Sequence, residues 1–211
     1  MTLGPVSSVN PPEWARVLLE WIQPRETEES VSGDLLEEFR HRAAETGGER
    51  RAAAWYVRQA VGFLWRMAWI FVVLTAGAVI LRTLFDAFDP PSPGPGAYQF
   101  RSSLTTYAAI ATYVTAGLYG ALRTGKISVG LLVALTSHGV GHLISIAFAA
   151  GLYFFVLTRD VRALTEFEMS GGWGEAWGIP LMLLPIVGVL ALAGGTLGKY
   201  MRGFSRQRLA G

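Results

Sequence analysis

Four long apolar runs dominate the sequence, at about 63–85, 105–122, 127–157 and 177–198. Each approaches or exceeds the roughly 20 residues that an α-helix needs to cross a bilayer. Backbone in hydrocarbon must satisfy its own hydrogen bonds, so runs of this length predict helices rather than an open sheet. A mean hydropathy of +0.35 and a charged fraction of 16% agree with a membrane protein, since soluble domains carry about 25% charged residues. The fold class that follows is all-α: an integral membrane four-helix bundle of residues 63–200, an N-terminal three-helix module of residues 1–62, and a basic tail, 201–211.

The links between runs differ. Asp89-Pro90-Pro91-Ser92-Pro93-Gly94-Pro95-Gly96 predicts neither helix nor strand. Residues 123–126 predict a tight turn. Residues 158–176 are polar and have room for an interfacial helix carrying Phe167, Met169 and Trp173. The third run is long enough to tilt, protrude or break at Gly139 and Gly141.

Arg and Lys fix the orientation. Eight lie at or before Arg66, two in the second link (Arg123 and Lys126) and four after the last run (Lys199, Arg202, Arg206 and Arg208). Only Arg82, Arg101, Arg159 and Arg162 fall on the other side, which predicts that both termini face the cytosol. Trp65, Trp69, Trp173, Trp177 and Tyr200 sit near run ends, as interfacial anchors do. The polar N-terminal stretch shows no signal-peptide pattern, so the first span is expected to act as its own targeting signal. Arg far outnumbers Lys and Asn10 is the sole asparagine; we read this as a GC-rich bacterial genome, and the membrane as the cytoplasmic (inner) one. The absence of cysteine excludes disulfides and thiolate chemistry. A net charge of +2 gives no ground for a nucleic-acid partner.

In the module, Asn10 is placed to cap a helix with Pro11 at its first position. Trp14, Val17, Leu18, Trp21 and Ile22 then fall on one apolar face, and Pro24 ends the helix. A second helix is expected over 26–46, with Val31, Leu35, Leu36, Phe39 and Ala43 as its apolar face. Its acidic start (Glu26, Glu28, Glu29) and basic end (Arg40, His41, Arg42) suit the helix dipole, and Gly47-Gly48 stops it. A third begins near Glu49, with Trp55, Tyr56, Val57, Ala60 and Val61 on its apolar side. No break separates it from the first apolar run, so one continuous helix is expected.

Four segments of this module stand in order before a membrane helix: Pro11-Pro12-Glu13-Trp14, Leu18-Leu19-Glu20-Trp21, Gly33-Asp34-Leu35-Leu36-Glu37-Glu38-Phe39 and Trp55-Tyr56-Val57-Arg58-Gln59. In them the chain resembles the permease prefix domain that precedes the first membrane helix of bacterial export permeases of the macrolide-exporter type. The resemblance covers about residues 11–65. It implies a cytosolic helical module in a transport-related setting and no catalytic residue. Such permeases carry a large extracytoplasmic domain between their first two membrane helices, where this chain has a short Pro/Gly link. The resemblance therefore implies a shared module on a different membrane body.

The sharpest chemical feature is His138 and His142. Their i, i+4 spacing puts both rings on one helix face, and Ser145 continues that face. On the second run Thr105, Ala108, Thr112, Thr115 and Tyr119 make a stripe at helical spacing. Together Thr112, Thr115, Tyr119 and Ser145 predict an intramembrane polar seam beside the histidines. Two readings follow. Neutral histidines can bond across helices to Thr or Tyr and hold the bundle. Alternatively, His138 and His142 begin a divalent-metal or proton-handling site. No third ligand is evident, because Glu166, Glu168 and Glu175 fall near the outer surface. Gly120–Lys126 has the glycine and lysine spacing of a phosphate-binding loop, but Ile127 stands where Ser or Thr is required and no strand precedes it, so it reads as a turn. Gly194 and Gly198 fit the small-residue packing motif of membrane helices, within the bundle or in a homo-oligomer. Asp86, one turn from Arg82, is placed to pair with it.

The function expected from these features is non-enzymatic. The chain reads as an accessory or regulatory component of a transport-related system, docking a membrane permease, an ATPase or a cytosolic regulator through residues 11–60. One alternative is a small transporter or channel-like bundle using the polar seam. A second is a metal-dependent membrane enzyme at His138 and His142. Beyond that divalent metal no cofactor is implied, and the lipid bilayer is the one partner common to all three.

Overall fold

The computed structural model describes residues 9–24, 28–45, 48–88, 95–169 and 171–210, and among these every regular element is helical. Residues 1–8, Glu26, Thr46, Gly47, the link residues 89–94, and the side chains of Glu28, Glu29, Glu166, Glu175, Arg206 and Arg208 lie outside what is described. The chain divides into two compact units, residues 1–67 and 68–211.

The first unit contains α1 (Glu13–Ile22), α2 (Glu28–Ala44) and the start of α3 (Gly48–Phe88). α1 begins later than expected. Pro12, not Asn10, is its cap residue, and no side chain caps it. A residue that precedes proline is pushed out of the α region, so neither Asn10 nor Pro11 can be helical, and the Pro12 carbonyl accepts the first bonds, from Ala15 and Arg16. The same rule ends the helix: Gln23, before Pro24, is extended (ψ 143°).

The covered face of α1 also differs from the expected one. Ala15, Leu19 and Ile22 are buried, while Trp14, Val17 and Trp21 face outward. Both sides of this helix are apolar, so periodicity alone could not say which one the module covers. Ala15 and Leu19 join Phe39 of α2 and Ala52, Tyr56 and Ala60 of α3 in one core. Phe39 meets Tyr56 edge-to-face at 5.7 Å between centroids, and Arg42 lies 4.6 Å over the Trp55 ring.

α3 runs unbroken for 41 residues, about 60 Å at 1.5 Å per residue, as the absence of a break after Glu49 predicted. The second unit adds α4 (Pro95–Thr124), α5 (Ile127–Phe155), a 3₁₀ turn (Leu157–Arg159), α6 (Val161–Met169) and α7 (Gly172–Ala210). Pro95 and Gly96, assigned from sequence to a structureless link, open α4 instead. Proline is tolerated at a first helical position because its missing N–H has no partner there anyway. α5 is a single helix through Gly139 and Gly141. Asp160 starts α6, its carboxylate accepting from the Arg162 and Ala163 amides at 3.0 and 3.2 Å. Phe167 of α6 is buried and Met169 exposed. Trp173, expected on the same short helix, belongs to α7, because Gly171 (φ 108°) and Gly172 (φ 49°) make the turn before it.

Among the described residues three helices are long and apolar enough to cross a membrane: Gly48–Phe88, Ile127–Arg159 and Gly172–Ser205. At most 28% of each apolar stretch is buried inside the protein, so the rest meets the surroundings. Met182, for example, is 78% exposed. A surface of this kind belongs in lipid, and the chain is a helical membrane protein. The second run lies within α4, which is long enough at 30 residues, but the run is diluted by Thr105, Thr106, Thr112, Thr115 and three tyrosines.

Small residues let the helices of the second unit approach. α4, α5 and α7 pack on one another. A Cβ on Gly130 of α5 would strike the Gly117 carbonyl of α4, and one on Gly194 of α7 the Val114 carbonyl of α4. Without side chains at these points the backbones close to contact, which is how helices in lipid gain packing energy. The 68–88 part of α3 meets α4 through Phe71 and Tyr119, centroids 5.8 Å apart.

Candidate functional site

His138 sits on α5, 2% exposed. Its Nε2 lies 3.0 Å from the Pro180 carbonyl of α7. A carbonyl only accepts, so in the neutral ring the proton is on Nε2 and Nδ1 is the acceptor. The Tyr113 hydroxyl of α4 donates to that Nδ1 at 2.9 Å. One histidine thus ties α5 to α4 and α7, and both its nitrogens are used. Pro185 contributes to the same stretch of α7: it has no N–H, so the Leu181 carbonyl loses its helical donor and the helix is weakened there.

His142 stands one turn further on, its ring centroid 4.3 Å from that of His138. Its Nδ1 donates to the His138 carbonyl at 2.9 Å. That bond selects the tautomer and leaves Nε2 as the nitrogen with a lone pair.

Beside this pair lies a cavity of about 450 Å³, lined from α3, α4, α5 and α7, with Phe167 of α6. Its walls are largely apolar, with Leu74, Val79, Ile110, Ile146, Leu183 and Val187 prominent. Its polar lining includes His142, Thr75, Thr112, Tyr113 and Ser145. Arg82, Thr83 and Asp86, about two to three turns along α3 from Thr75, line it as well. Most of its hydroxyls have committed their protons. Thr83, Thr105, Thr106, Thr112 and Ser145 each donate to the carbonyl one turn back in their own helix, at 2.7–2.9 Å, and Tyr113 donates to His138. Thr75 differs. It is 4% exposed, its methyl side packs where Gly141 leaves room, and its Oγ1 faces the Tyr113 hydroxyl oxygen rather than its own helix backbone.

At the Arg82 side, Asp86 is shared by two cations. Arg82 reaches it at 3.3 Å and Arg101 of α4 at 3.5 Å, and Arg101 also donates to the Phe85 carbonyl at 3.1 Å. The Arg82–Asp86 pair was expected from spacing. Arg101, which fastens α4 to the end of α3, was not.

The expected seam is partly assembled. Thr112 and Ser145 line the cavity with His142. Thr115 is exposed and bonds within α4, to Ala111 and Thr112. Tyr119 turns away and accepts from Arg123 at 2.8 Å. Tyr113 and Thr75, the residues next to the histidines, were missed. A signal for Tyr113 was present: it shares a helical stripe with Ala116, Gly117 and Gly120, the small residues on which α4 packs. Among the described residues no three His, Asp or Glu side chains gather into a metal set, and His138 has no lone pair left to offer. The residues do not fit the divalent metal considered for His138 and His142.

Comparison with protein-family models, with curated proteins and with solved structures finds no match to this chain.

Proposed function

We propose that this chain is a multi-pass protein of the bacterial cytoplasmic membrane, with four spans, both termini in the cytosol and the helical module on the cytosolic side. In this reading it is an accessory or regulatory component of a transport-related system. The module, a permease-prefix-like domain, docks a membrane permease, an ATPase or a cytosolic regulator. The observation that carries the reading is α1. Its inner face is covered, yet Trp14 and Trp21 stand 56% and 55% exposed on its outer face with Val17 between them. Paired surface tryptophans are typical anchors of protein interfaces.

α4 serves as the fourth span. Phe100, Leu104, Tyr107 and Ile110 make an outward apolar stripe, and its threonine hydroxyls donate to its own backbone, so these groups need no water. The test is copurification from crosslinked membranes of the full chain and of a Trp14→Ser/Trp21→Ser variant. A permease, ATPase or regulator recovered with the first and lost with the second is the expected result. Identical recoveries contradict it.

The cavity favours a second reading, a small transporter-like bundle using the His142 seam. It predicts flux in proteoliposomes that His142→Phe abolishes and the tryptophan substitutions leave unchanged.

A further inference from the structure

We propose that the cavity beside His142 binds an uncharged, membrane-soluble molecule whose apolar body carries a hydroxyl, and that this hydroxyl donates to His142 Nε2. The inference shares its site with the transport reading but requires only binding.

The cavity leaves only certain hydrogen-bonding roles open. His142 Nδ1–H is held by the His138 carbonyl, so the ring can offer only a lone pair. Thr112, Tyr113 and Ser145 have spent their protons on protein acceptors and also offer only lone pairs. The polar patch is therefore rich in acceptors, and what completes it is a donor. Thr75 Oγ1, more than nine-tenths buried and turned to the Tyr113 oxygen, adds a further lone pair for the same ligand group.

The rest of the lining sets the ligand's body and charge. The walls are mostly aliphatic, and the volume is that of a pocket for a drug-sized molecule. An anion would meet the lone pairs of His142 and the hydroxyl oxygens. A cation would meet Arg82, which lines the same cavity, while the carboxylate of Asp86 already faces two guanidinium groups. A neutral lipophilic alcohol or phenol fits all of these constraints.

The test uses the full chain in nanodiscs, with empty nanodiscs as background for partitioning. Para-nonylphenol and its O-methyl ether share shape and hydrophobicity but only the phenol donates. Dodecylammonium and dodecanoate supply the charged comparisons. The expected result is phenol binding about tenfold tighter than ether binding, a difference set by one buried hydrogen bond, with both ions weaker than the phenol. Ala109→Phe, which fills the cavity, should weaken both neutral probes. His142→Phe should bring the phenol and the ether to within about twofold while ether binding persists, which also reports that the variant is folded. Thr75→Val, nearly isosteric, should lower the preference by about threefold and tests the inference independently of the His142 variant. Equal affinities for phenol and ether in the native chain overturn the inference, as does tightest binding of either ion, or binding that Ala109→Phe leaves untouched. Flux assays on the same protein separate the two readings. A phenol preference without flux leaves the inference standing and removes the transport reading; flux with no phenol preference does the reverse.

Discussion

In residues 1–67 the largest buried side chains are Leu19, Phe39 and Tyr56, with Glu37, Arg40 and Arg58 outside. In residues 68–211 Ser137, His138 and Ser145 are buried, while Leu143, Met182 and Val189 face outward. The first unit is sorted by water, which drives large apolar groups together. The second is sorted by lipid, which rejects polar groups and is indifferent to leucine. The lesson is about where specificity sits. In the first unit it lies in the shape of bulky side chains. In the second it lies in small residues that let backbones meet and in polar atoms that must find each other across helices.

Breaking each unit at its own kind of contact sharpens that contrast. The largest expected effect is Phe39→Ala, which empties the centre of the first core and should cost about 3–5 kcal/mol. Limited proteolysis should then cut residues 28–60 while 68–211 stay protected. Gly194→Val should cost about 3 kcal/mol in detergent unfolding, because its Cβ falls on the α4 backbone and the helices must part. Gly139→Ala, with open space around it, should change stability by less than about 0.5 kcal/mol. Next comes the histidine. His138→Phe leaves the Tyr113 hydroxyl without its acceptor and should cost about 2 kcal/mol, against about 1 for Tyr113→Phe. A double-mutant cycle on the pair should return a favourable coupling. The smallest effect is Thr115→Val, on an exposed face, within about 0.5 kcal/mol. Should it cost as much as His138→Phe, the seam would run where spacing alone first placed it.

These particulars show how far the sequence was legible. Helical class, the unbroken α3, the stop at Pro24 and the Arg82–Asp86 pair were readable because each depends on neighbours in the chain. The α1 start was misjudged because two prolines act on the residues before them. Its covered face was misjudged because both faces are apolar and only the partner helices decide between them. Trp173 falls on α7 rather than on the short helix because Gly171 and Gly172 turn the chain just before it. The candidate site was half legible. His138, His142, Thr112 and Ser145 lie on stripes that a helical wheel displays. Tyr113, Thr75 and Arg101 join them only through helix packing, and no local pattern encodes which faces meet.

The central claim is that residues 68–211 cross the membrane with α4 as a full span, despite its hydroxyls, and with the module inside. The natural chain has no cysteine, so single cysteines placed at Lys126→Cys and Arg159→Cys report position directly. The measurement is labelling by a membrane-impermeant maleimide in intact and in permeabilised cells. The account predicts that position 159 reacts in intact cells and position 126 only after permeabilisation. Reaction at 126 in intact cells with protection at 159 would mean that α4 does not cross or that the whole bundle is inverted, and either contradicts the account.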